Sequence, residues 1–144
     1  MMRIKQFGVL SLLVLPTLGA CSGITRDSDA STARVLAEAS PTRPLELIVS
    51  TDFIVVLDEL TGEKNPDYIT SDTVMLTGDV DRTYDLKDGD ARLFVRLANY
   101  EDTVEPVRLR IFLDGQKEYD VSANLGQGGF LEYLYRFNQP QGGF

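Results

Sequence analysis

The 144-residue chain contains no histidine and one cysteine, Cys21. Without histidine, Ser-His-Asp and Cys-His nucleophile systems are excluded, as is every histidine-ligated metal site. The commonest general base near neutral pH is missing too. A single cysteine excludes an internal disulfide. Basic residues are in deficit, with 14 Lys and Arg against 22 Asp and Glu and a formal net charge of −8. Such a surface repels nucleic acid and anionic headgroups, so no nucleic-acid partner is expected. The apolar run from Phe7 to Leu18 is too short to cross a bilayer, which needs about 20 residues. No stretch beyond Arg43 carries a helical period. Acids are plentiful, but no spacing marks two of them as a convergent catalytic pair. An enzyme is therefore not expected, and neither is a cofactor.

What is present begins at the amino terminus. Arg3 and Lys5 form a short basic head, the Phe7–Leu18 run follows, and Leu18-Gly19-Ala20-Cys21 closes the segment. This layout resembles the signal peptide and lipobox of bacterial lipoproteins. The resemblance covers residues 1–21. It implies cleavage between Ala20 and Cys21 and lipidation of the Cys21 thiol, so the partner expected first is a membrane, reached through a lipid anchor. Ser22 in place of Asp implies the outer membrane where a cell has one. Loss of residues 1–20 removes two basic residues and no acids, leaving a net charge of about −10.

Residues 21–43 are rich in Ser, Thr, Ala, Asp and Arg, and read as a lipidated cysteine followed by a disordered tether. From Leu45 the apolar period becomes two. Leu45, Leu47 and Val49 share a face, and Phe53 to Leu57 reads as a strand buried on both sides. Val74 and Leu76, Ala91 to Leu97, Val107 to Leu113, Tyr119 to Leu125 and Leu131 to Phe137 repeat the alternation. Short strands at this spacing predict an all-β domain, an antiparallel β-sandwich of seven or eight strands, immunoglobulin-like in size and strand count. The domain is expected over residues 44–138, with a flexible tail over 139–144.

Two turns carry register predictions. Asp88-Gly89 predicts a two-residue hairpin with positive φ at both positions, pairing Leu86 with Ala91, Lys87 with Asp90, Asp85 with Arg92 and Asp81 with Arg96. Asp114-Gly115 predicts a three-residue turn with a bulge at Gly115, setting Leu109 opposite Tyr119 and Arg108 opposite Asp120. Gly126 to Gly129 reads as a third hairpin loop.

Arg92, Arg96, Arg108, Arg110 and Arg136 are expected on outward faces, opposite carboxylates. Phe94, Phe112, Phe130 and Leu134 are expected on the same polar face, as a candidate partner-docking patch. Asp79-x-Asp81 and Asp88-Gly89-Asp90 lack the spacing of a calcium loop, so no metal is expected. The reading is a non-catalytic envelope lipoprotein, a binding or accessory module for an unknown envelope protein or glycan. A carbohydrate-binding module would use an aromatic platform from Tyr68, Tyr100 or the outer phenylalanines. A hydrolase, the remaining alternative, would need two desolvated carboxylates in one cleft.

Overall fold

A computed structural model describes residues 28–137. Eight antiparallel strands form two four-stranded sheets packed as a sandwich. They are β1 (Thr32–Ala39), β2 (Leu45–Leu57), β3 (Lys64–Leu76), β4 (Val80–Asp85), β5 (Arg92–Ala98), β6 (Glu105–Leu113), β7 (Gln116–Leu125) and β8 (Phe130–Arg136). One sheet has the order β4-β1-β6-β7 and the other β3-β2-β5-β8. The immunoglobulin analogy stops at two-layer architecture and size. That scheme puts the first two strands side by side in one sheet and the third strand in the other. Here β1 and β2 lie in opposite sheets and β3 neighbours β2. The alternating residues Leu45, Leu47, Leu93, Val95, Leu97, Leu109, Ile111 and Leu113 form the buried interior between the sheets, as their period demands.

The tether reading fails over residues 32–39. This stretch is β1, hydrogen-bonded on one side to β4 and on the other to β6. Ala33, Val35, Ala37 and Ala39 alternate inward and are buried, while Arg34 is exposed and Leu36 and Glu38 half-exposed. Alanine has low strand propensity, and tertiary pairing overrides it. The outer residues add cross-strand ion pairs, Arg34 to Asp81 at 2.6 Å and Glu38 to Arg110 at 2.6 Å. The domain therefore starts before β1, not at residue 44. The signal segment, Ala20, Cys21 and the 139–144 tail lie outside the described residues.

A carboxylate fixes where β1 begins. Asp114 Oδ1 accepts from the backbone N–H groups of Ser31 (3.0 Å) and Thr32 (2.9 Å) and from the Ser31 hydroxyl (2.8 Å). Burial acts to raise the Asp114 carboxyl, but the hydrogen bonds from Ser31 and Thr32 outweigh it and hold the pKa down at about 2. Asp114 (φ 48) and Gly115 (φ 80) are both left-handed, so the β6–β7 turn has two residues, not the three expected. The face mismatch of a two-residue turn is repaired by a register shift between Ile111 and Phe112, which leaves Glu118 as the extra residue. Leu109 consequently faces Val121 rather than Tyr119, although the Arg108–Asp120 ion pair forms at 2.8 Å.

The other two turn assignments are also corrected. β4 pairs with β1, and β5 pairs with β2 and β8, so residues 86–91 cross between the sheets. Gly89 has the expected positive φ, but Asp88 does not. Leu86, Ala91 and Leu93 do face the core, from opposite layers. Asp81 instead takes Arg34, and Asp90 takes Arg92. Residues 126–129 likewise cross between β7 and β8, which lie in different sheets. Asn99, fully buried, ties this crossing down. Its Nδ2 donates to the carbonyls of Thr103 (2.8 Å) and Leu125 (2.9 Å), and its backbone N–H donates to Gly129 O.

Two outcomes follow from the placement of β1. A chain lacking residues 1–40 loses the strand between β4 and β6, and its urea titration shows no cooperative transition. Asp114→Asn keeps a left-handed turn residue but loses the charge. Because the folded carboxyl titrates below its ordinary value of 3.8, its contribution is present above about pH 4 and fades towards pH 2. The variant unfolds at lower urea than wild type at pH 7, by about 0.5–1 kcal/mol for an exposed carboxylate, and the gap narrows at pH 2.

Candidate functional site

The distal half of the β2–β3 hairpin is an arm. Its ladder shifts register between Val49 and Phe53, and the Ser50 hydroxyl, buried in the bend, donates to Thr70 O at 2.6 Å. Bulges of this kind bend a hairpin out of its sheet. Beyond the bend, Phe53 pairs with Tyr68 and Leu57 with Lys64. Arg92 Nη1 donates to Phe53 O at 2.6 Å, and its guanidinium is itself held by Asp90. The arm thus lies against the outer face of β5.

Phe94 projects from that outer face, between Leu93 and Val95, which face the core. Its ring meets Phe53 edge-on at 6.1 Å and Tyr68 at 5.4 Å, and both phenylalanines are fully buried. Phe53, Tyr68 and Phe94 therefore form a second apolar cluster, separate from the core between the sheets. The 53–57 run is not buried on both faces as expected. Ile54, Val56 and Leu57 are exposed on the arm, and Leu60 at its tip is 96% exposed.

Further along, the arm and the sheet enclose a groove of about 570 Å³. Residues 62–66 form one wall, and Arg96, Phe130 and Glu132 form the other. The Arg96 guanidinium lies over the Phe130 ring, 4.4 Å from its centroid. Arg96 and Glu132 are directly opposite across β5 and β8, yet no ion pair joins them. Burial raises the pKa of the Glu132 carboxyl, against a lowering influence from Arg96. Burial likewise raises the Tyr68 phenol, again opposed by Arg96. The Arg96 Nε is buried and has no hydrogen-bond partner among the described residues.

The four residues of the expected docking patch are not brought together. Phe94 is 0% exposed, covered by the arm. Phe112 belongs to β6 and lies on the other sheet, where Arg34 approaches its ring at 6.0 Å. Leu134 is half-buried opposite Phe94. Only Phe130, 49% exposed, lines the groove. The expected ion-pair ladder forms at Arg92, Arg108 and Arg110. It does not form at Arg96, and Arg136 stands opposite Arg92. The aromatic platform of a carbohydrate-binding module is not built from Tyr68, whose ring is tilted 41° against Phe94. Asp79 accepts from Ala39 N, and Asp81 and Asp90 hold arginines. No cluster of three metal-ligating side chains occurs among the described residues.

The chain matches no family model, no curated protein and no solved structure.

If the second cluster holds the arm, Phe94→Ala costs about 3–5 kcal/mol. It also makes the arm susceptible to trypsin after Lys64 under native conditions. Phe130→Ala, at the rim, leaves the melting temperature within about 2 °C of wild type, since partly exposed positions contribute little.

Proposed function

We propose that the protein is a non-catalytic cell-envelope lipoprotein. Lipid on Cys21 anchors it, to the outer membrane in a cell that has one, and the sandwich serves as a binding or accessory module. The sequence support is the basic head, apolar run and Leu18-Gly19-Ala20-Cys21 segment. The structural observation that carries the binding half of the reading is the groove between the arm and β5–β8. It holds an arginine with a buried, unpartnered donor beside an exposed aromatic ring. Preformed concavities with a few convergent polar groups are where small ligands bind.

The anchor is tested by detergent phase partitioning of cell membranes with Triton X-114. Wild type enters the detergent phase, and Cys21→Ser enters the aqueous phase. Equal partitioning of the two would remove the lipoprotein reading and leave the groove to be judged separately.

A further inference from the structure

Arg96 differs from the other strand arginines in what it lacks. Arg34, Arg92, Arg108 and Arg110 each hold a carboxylate within 2.8 Å. Arg96 makes no hydrogen bond or ion pair among the described residues, although Glu132 is its cross-strand neighbour. A guanidinium that is partly desolvated, stacked on a ring and without an anion is prepared to receive one. The cavity in front of it, about 570 Å³, is of the size of small-ligand sites, which run from about 300 to 1,000 Å³.

The remaining wall narrows the ligand class. Glu63, Asn65 and Glu132 offer oxygen acceptors for hydroxyl groups, and Lys64 adds a second cation with no side-chain partner among the described residues. An apolar ligand finds only Pro66 and Phe130 to bury against. A polyanion or dianion is opposed by the chain's net charge of −8. A monoanion rich in hydroxyls satisfies both conditions, and the exposed part of the Phe130 ring suits the C–H face of a sugar. We infer that the groove binds an acidic saccharide, with its carboxylate on Arg96 and its hydroxyls on Glu132, Glu63 and Asn65. This inference rests on the groove being the binding surface proposed above.

The test uses the full chain in detergent micelles. The Arg96 Nε–H resonance is followed by ¹⁵N NMR during titration with D-glucuronate, with D-glucose and with the tripeptide Ala-Ala-Ala. Glucuronate is expected to shift the Arg96 signal and to bind at least about tenfold more tightly than either other probe, as expected for a charge-assisted contact. Arg96→Gln abolishes that preference, with a melting temperature within about 2 °C of wild type because no internal partner is lost. Arg34→Gln, on the other sheet, binds as wild type does. Equal binding of Ala-Ala-Ala would overturn the saccharide assignment in favour of a peptide carboxylate. An Arg96 signal unmoved by glucuronate would overturn the inference altogether. Tight, Arg96-independent binding of glucose would overturn the acidic class while preserving the binding-module reading. Failure of the lipoprotein reading shows only in the Cys21 partitioning.

Discussion

Every backbone N–H and C=O taken out of water needs a partner, and one strand meets that demand for half of this molecule. β1 lies between β4 and β6 and bonds to both. Without it the sheet β4-β1-β6-β7 has no continuity, and the inward residues of β6 lose the neighbour that closes their layer. The strand contributes little side-chain bulk, since three of its four buried positions are alanine. Its hold is the pair of hydrogen-bond ladders, with the Asp114 carboxylate fixing its first residues.

The opposite sheet solves a different problem. Phe94 places a large ring on a face that would otherwise meet solvent, and the arm of β2 and β3 folds across to cover it. Burying an aromatic side chain of this size yields about 1.5–3 kcal/mol, enough to favour the bent hairpin over a flat one. The same bend carries residues 62–66 to Arg96 and Phe130, so the groove exists because Phe94 needed covering. The site and the second apolar cluster are two results of one double register shift.

The alternating period located seven of the eight strands, and it named nearly all the inward side chains correctly. It said which face a residue takes but not which strand lies beside it. The face pattern of Leu86, Ala91 and Leu93 is satisfied equally by a hairpin and by two strands facing each other across the core. The charge pairs deduced from the hairpin were therefore persuasive and wrong, because Asp81 and Asp90 found other arginines. β1 was missed because alanine-rich alternation looks like solvated chain when its neighbours in space are unknown. The groove was not legible, because parity arguments do not survive the register shifts between Val49 and Phe53. A signal did exist in the length of β2 and β3, each 13 residues, where the other strands span 6–10. Strands that outrun their partners must leave the sheet.

The clamp at Ser31 also decides how the domain carries load. Tension arriving from the Cys21 side enters at residues 31 and 32 and runs along the axis of β1. Antiparallel ladders on both flanks then take that force in shear, so their bonds must yield together rather than unzip one after another. An anchor attached at this end would pull on the most cross-braced strand of the sheet, and the domain would resist being torn from a surface at the place where it is tied.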